Sequence, residues 1–209
     1  MKFDGIIFDL DGTLWNSGAA VYESWRNTLL NTYGAESWPD LDDVIGIMGL
    51  VEKDIADRLF SSYGDRRYEV CHRCIADEPA YLCTRGGEIY EGEEEMLRTL
   101  SGKYPLFIVS NCQDGYIESY LSYSGFGKYF KGIECEGHSG LKKAGNIRLI
   151  CEKNGLKAPI YVGDTVLDEE SAAEAGCPFI HAAYGFGGAK APIAKIKCPG
   201  ELAKILENI

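Results

Sequence analysis

The segment that most constrains this chain is an apolar run that delivers two aspartates at its end: Phe3-Asp4-Gly5-Ile6-Ile7-Phe8-Asp9-Leu10-Asp11-Gly12-Thr13-Leu14-Trp15. A short continuous apolar run of this kind reads as a strand buried on both faces. Along extended backbone, residues i and i+2 face the same way about 6.6 Å apart, so Asp9 and Asp11 can flank one small polar group. Two carboxylates at that spacing in a crevice of effective dielectric about 20 repel by about 2–3 kcal/mol, so a cation or a proton must compensate. A phosphoryl group with a metal ion meets that requirement. Asp11-Gly12 is also a strong turn dipeptide, and a capped turn is the competing reading of the same residues.

With 209 residues, 45% of them hydrophobic, the chain is long enough for one sizeable core plus an inserted module. A net charge of −11, with no long run of Lys or Arg, argues against nucleic acid and anionic membranes as partners. No apolar stretch approaches about 20 residues and no basic-then-apolar leader opens the chain, which sets the expectation of a cytoplasmic protein that is a monomer or small homo-oligomer. The eight cysteines are scattered through apparent helices and strands and are expected to be reduced core residues. Cys71-His72-Arg73-Cys74 has zinc-like spacing, but no matching second pair follows, so helical coincidence is the expected explanation.

Hydrophobic spacing divides the chain. From about residue 17 to residue 86 the period is helical, with Val21, Trp25 and Leu29, then Ile55 and Leu59, then Val70 and Cys74. Turn signals at Gly34, Pro39 and Gly64 punctuate an insert of about four helices, set off by Gly86-Gly87. Beyond it, short apolar strands at 106–109, 160–162 and 179–180 alternate with helical stretches, the pattern of a parallel sheet with crossover helices. In such sheets ligands bind outside the carboxyl ends of the strands. Polar residues stand at those ends: Asp9 and Asp11, Ser110 and Asn111, Asp164 and Thr165.

Taken in order, four motifs resemble the haloacid dehalogenase-like hydrolase superfamily, in the group with a helical (C1-type) cap that includes phosphoglycolate phosphatase and β-phosphoglucomutase-like proteins. They are Asp9-Leu10-Asp11-Gly12-Thr13, Phe107-Ile108-Val109-Ser110-Asn111, the Lys142-Lys143 pair ahead of Asn146-Ile147, and Gly163-Asp164-Thr165-Val166-Leu167-Asp168. The resemblance implies an α/β fold: a Rossmann-like parallel-sheet core, 1–15 and 88–209, with a helical cap domain, 16–87, inserted in it. It implies that Asp9 attacks phosphorus, that Asp11 serves as acid and then base, and that Ser110 and Lys143 hold the transferring group. Gly12 would approach the phosphoryl oxygens and offer its N–H, with Asn111 beside Ser110. Mg²⁺ would be bound by Asp9, the Asp11 carbonyl and Asp164, with Asp168 behind them or on the lysine. Of the two lysines, Lys143 better fits the motif. Ser110, Asn111 and Asp168 could equally be helix caps.

The expected function is a Mg-dependent phosphatase acting on a small phosphorylated metabolite, phosphoglycolate- or sugar-phosphate-like. A phosphosugar mutase of the β-phosphoglucomutase type is the alternative, and a phospho-accepting signalling domain a more distant one. Lys53, Arg58, Arg66, Arg67, Arg73 and Arg85 in the insert could meet an anionic substrate, although arginines on helices usually solvate a surface. Gly185-Phe186-Gly187-Gly188 lacks dinucleotide-fingerprint spacing and reads as a flexible loop beside the rim. The three histidines form no cluster.

Overall fold

The computed structural model describes residues 2–209. In chain order the elements are β1 (Gly5–Phe8), β2 (Trp15–Asn16), α1 (Gly18–Tyr33), α2 (Leu41–Ile45), α3 (Glu52–Leu59), α4 (Arg67–Arg85), β3 (Glu88–Ile89), α5 (Glu93–Ser101) and β4 (Leu106–Ser110). There follow α6 (Tyr116–Ser124), β5 (Phe130–Cys135), α7 (Glu136–Ser139), α8 (Lys143–Asn154), β6 (Pro159–Gly163), α9 (Val166–Ala175), β7 (Phe179–Ala182), β8 (Ala194–Ile196) and α10 (Leu202–Asn208).

Six strands form one parallel sheet in the order β5-β4-β1-β6-β7-β8. Strand β1 lies near the middle, with Ile7 in register with Phe107 of β4 and Tyr161 of β6. That order brings the ends of β4 and β6, and so Ser110 and Asp164, to either side of Asp9. Alternation along β1 sends Ile6 and Phe8 into one buried cluster and Ile7 into another, so both faces of the strand are covered. The second cluster joins Ile7, Phe107 and Tyr161 to Ile147 and Ile150 of α8 and Ala172 of α9.

The helical insert leaves and re-enters this core through a two-stranded antiparallel ribbon, Trp15 pairing with Ile89 and Asn16 with Glu88. The four-residue spacing of Val21, Trp25 and Leu29 does place all three on the buried face of α1. Cys71 and Cys74 are buried on α4 with Val70 and Ile75, and all eight cysteines are free. Pro79 sits inside α4 and cannot supply the N–H that the Ile75 carbonyl would otherwise receive. Gln113 donates its side-chain amide to that carbonyl instead, at 2.9 Å, joining the insert to the loop after β4. Among the described residues no helix is long and apolar enough to cross a membrane.

Glu93, at the first turn of α5, is buried. The Tyr120 hydroxyl donates to its Oε1, while Oε2 has no partner. Burial pushes the Glu93 carboxyl up to about 8, so between the ordinary glutamate range and that value it is protonated in the fold but ionised in the unfolded chain. The folded state then binds the extra proton, and stability falls as pH rises, by up to about 1.4 kcal/mol per pH unit. Urea unfolding of Glu93→Gln is therefore expected to show a variant more stable than the parent at pH 8, with the difference shrinking toward pH 5. A difference independent of pH would show that the carboxyl is ionised in the fold.

Candidate active site

The four strand-end and helix-start motifs meet at one rim. Lys143, the first residue of α8, is 2% exposed and extends its ammonium between two carboxylates, 2.8 Å from Asp9 Oδ1 and 2.6 Å from Asp168 Oδ1. Lys142, one residue earlier, is the N-cap of α8 and is exposed. A step of about 100° around a helix separates the directions of neighbouring side chains, and here the helix starts so that the second lysine points inward.

Asp9 and Asp164 are buried at the ends of β1 and β6. One oxygen from each of Asp9, Asp164 and Asp168 lies within 4.8 Å of the others. Burial, then the charges of Asp168 and Asp164, push the Asp9 carboxyl well above the usual range, against the pull of Lys143. Asp164 is pushed up to about 7 by burial and by Asp168. Its Oδ2 accepts the Phe186 N–H at 2.6 Å, whereas Oδ1 is buried without a hydrogen-bond partner. Buried and without a donor, that oxygen is available to a cation.

Asp168 does two jobs. Its Oδ2 accepts from the Thr165 N–H at 3.0 Å and hydroxyl at 2.6 Å, closing a capping box at the start of α9. Its Oδ1 accepts from Lys143 and, at 3.4 Å, from the Tyr161 hydroxyl. With both oxygens occupied, and Lys143 upon it, Asp168 stays below the usual carboxylate range despite its burial. Both readings of this residue from sequence hold together, the cap and the lysine partner.

Asp11 faces the insert. Its Oδ1 accepts from the Ser17 hydroxyl, from the Tyr116 hydroxyl at 2.9 Å and from the Trp15 indole N–H at 3.0 Å. Burial raises its pKa above the ordinary aspartate value, opposed by those three donors. Gly12, with φ of +80°, lies so close to Asp164 that any Cβ there would overlap the carboxylate. Contrary to the expectation from sequence, its N–H is not free for a ligand, because it donates to the Trp15 carbonyl at 2.8 Å and closes the turn.

Ser110 ends β4, is buried, and shares a cavity of about 170 Å³ with Asp11 and Asn111. The cavity lies between the rim and the insert, walled by side chains such as Val21, Trp25, Ile47 and Ile75. Asn111 lines it too, but its amide donates to the Gly49 carbonyl of the insert at 3.0 Å, a tie between the two parts of the molecule.

A family model of haloacid dehalogenase-like hydrolases matches residues 6–182, from within β1 to the end of β7. The chain belongs to that family. Comparison with curated protein sequences finds no match. Among solved structures, this hydrolase is similar to a haloacid dehalogenase-like family hydrolase from Streptococcus pneumoniae, with 24% identity, 98% of this chain and 99% of that one covered, and a TM-score of 0.81. It is similar to a predicted phosphoglycolate phosphatase from Haemophilus somnus 129pt, with 22% identity, 99% of each chain covered and a TM-score of 0.83. A third similar structure is a Bacillus subtilis protein of HAD-hydrolase type solved bound to magnesium, with 17% identity, complete coverage of both chains (100%) and a TM-score of 0.75. At these identities the likeness is one of fold.

Several supports of the hydrolase site carry no local signal in the sequence. Phe186, in the glycine-rich loop after β7, fixes Asp164 through its backbone N–H, and the absence of a side chain at Gly185 lets that loop lie against Asp164. The loop expected to be flexible is thus packed on the rim. Ser17, Tyr116 and Tyr161 also escaped the sequence reading. His181 does not join a metal cluster; its Nε2 lies 3.0 Å from the Asp164 carbonyl oxygen. Lys53 and Arg67 pair with Asp57, Arg66 with Glu69 and Arg73 with Asp77, all partly or fully exposed.

Replacing Lys143 by Met leaves three buried carboxylates without their cation and is expected to destabilise the fold by about 3–5 kcal/mol at neutral pH. Lys142→Met is expected to stay within about 0.5 kcal/mol of the parent. Equilibrium denaturation of the two variants checks the assignment; equal effects would contradict it.

Proposed function

We propose that this hydrolase is a Mg²⁺-dependent phosphomonoesterase acting on a small phosphorylated metabolite through an aspartyl-phosphate on Asp9. The observation that carries this reading is the buried Asp9–Lys143–Asp168 chain beside the unpartnered Asp164 Oδ1, at the edge of a cavity bounded by Asp11 and Ser110. Three carboxylates with one ammonium leave a net charge of −2 at this rim, which a divalent ion balances. Asp9, Asp164 and the Asp11 carbonyl would hold Mg²⁺, an oxygen-only set suited to a hard cation. When bound, the ion neutralises phosphoryl charge and favours the ionised form of Asp9. Asp168 is committed to Lys143, Tyr161 and Thr165 and acts through the lysine.

In the first step the ionised Asp9 carboxylate forms a bond to phosphorus as the ester oxygen departs, and Asp11 delivers its proton to that oxygen. In the second, water attacks phosphorus, Asp11 takes the water proton, and Asp9 is released with inorganic phosphate. The raised pKa of Asp11 suits a group that must hold a proton near neutral pH. Its three donors crowd one oxygen, leaving the other for the proton. Lys143 stabilises charge on Asp9 and the transferring group, and Ser110 donates a hydrogen bond to a phosphoryl oxygen. The insert, residues 16–87, works as a cap that excludes bulk water and shapes the space for the alcohol. Eight free cysteines accord with a reducing cytoplasm.

A panel of phosphorylated metabolites with Mg²⁺ tests this by released inorganic phosphate. Asp9→Asn is expected to lower turnover by at least about 10³-fold with the fold retained, Asp11→Asn by about 10²–10⁴-fold, and chelation of the metal to abolish release. Retained activity in Asp9→Asn would overturn the nucleophile. An isomerised phosphosugar in place of free phosphate would identify a mutase.

A further inference from the structure

The cavity between the rim and the insert is bare of positive charge. The carboxyl groups that line it are those of Asp11, Glu52, Glu78 and Glu136, and no Lys, Arg or His is among the residues that wall it. The insert's Lys53, Arg66, Arg67 and Arg73 are held in surface ion pairs, and the Lys143 ammonium is taken up between Asp9 and Asp168. Phosphoryl charge is thus provided for at the rim, while no cation lines the alcohol side; Lys142 acts on Glu136 from outside that lining.

The far wall of the cavity is built, not loose. Glu78 is 4% exposed; the Trp25 indole donates to its Oε1, and the Gln113 amide donates to its Oε2 at 2.7 Å. Gln113 is itself fixed by the Ile75 carbonyl that Pro79 leaves without an intrahelical donor. Burial pushes Glu78 up to about 8, so at neutral pH it can donate to a hydroxyl and can ionise beside an ammonium. At the other side Glu136 presents Oε2, buried and without a hydrogen-bond partner among the described residues. Side chains such as Val21, Ile47 and Ile75 add apolar wall beside polar ones such as Ser110 and Asn111, and a space of about 170 Å³ is close to the roughly 150 Å³ that holds a benzene ring.

We propose that this cavity selects phosphomonoesters whose alcohol part is small and carries no negative charge, either neutral or bearing an amine, and rejects those with a second anionic group. The inference rests on the phosphatase reading above and narrows its substrate class. A carboxylate or second phosphate placed here would lose part of its hydration and meet acidic side chains. An alcohol with a hydroxyl or amine meets Glu136 as an acceptor, Glu78 as a donor to the hydroxyl or an acceptor from the amine, and apolar side chains along its carbon skeleton.

Steady-state phosphate release with Mg²⁺ from three esters of matched size tests this: phosphoethanolamine, propyl phosphate and phosphoglycolate. We expect kcat/KM for the first two to exceed that for phosphoglycolate by at least about tenfold, the scale of a like-charge penalty. Glu136→Gln, which removes one unpartnered negative charge, is expected to narrow that ratio by about threefold. Phosphoglycolate turned over as well as or better than the other two would overturn the selectivity while leaving the phosphatase reading intact. Release from none of the three, nor from a generic aryl phosphate, would refute both.

Discussion

The buried ammonium of Lys143 between Asp9 and Asp168 is the interaction on which the rest of the rim depends. It ties β1 to the start of α8 and to α9, three segments separated along the chain, and it does so where water is excluded. A carboxylate cluster in such a place would otherwise take up protons or push the strand ends apart. Sheet order supplies the remaining geometry. With β1 flanked by β4 and β6, the residues that follow three neighbouring strands must converge, and the only freedom left is which side chain each strand presents.

Charge is distributed unequally between the two parts of the molecule. The sheet rim gathers three aspartates and a lysine, and on the proposed reading a metal ion supplies the positive charge it lacks. The insert contributes shape, apolar surface and acidic side chains. Both parts are joined by buried polar ties, Asn111 to Gly49 and Gln113 to Ile75 and Glu78, so the loop after β4 senses the insert and the reacting centre at once. The proposed division, chemistry at the rim and selectivity in the insert, follows from where the charges lie.

Much of this was legible in the residues. The apolar run ending at Asp9, the matching ends at Ser110 and Asp164, and the helical period of Val21, Trp25 and Leu29 are local patterns, and local patterns survive into the fold. The choice between Lys142 and Lys143 follows from where α8 begins, and that is set by packing of Ile147 and Ile150 against the sheet. Strand β5 was not anticipated because Phe130-Lys131-Gly132-Ile133-Glu134-Cys135 is half exposed and mixes charge and glycine into its apolar pattern. Backbone donors leave no residue signature: nothing in Gly185-Phe186 announces the N–H aimed at Asp164, and nothing in Gly12 announces that its N–H closes the turn to Trp15.

The central claim is that the rim carries two negative charges in excess and that a divalent ion held at Asp164 balances them. Thermal unfolding across a Mg²⁺ titration, comparing the parent chain with Asp164→Asn, tests it without reference to any substrate. The account predicts that Mg²⁺ raises the melting temperature of the parent in a saturable way and leaves that of Asp164→Asn unmoved. An equal response in both proteins, or none in the parent, would contradict it.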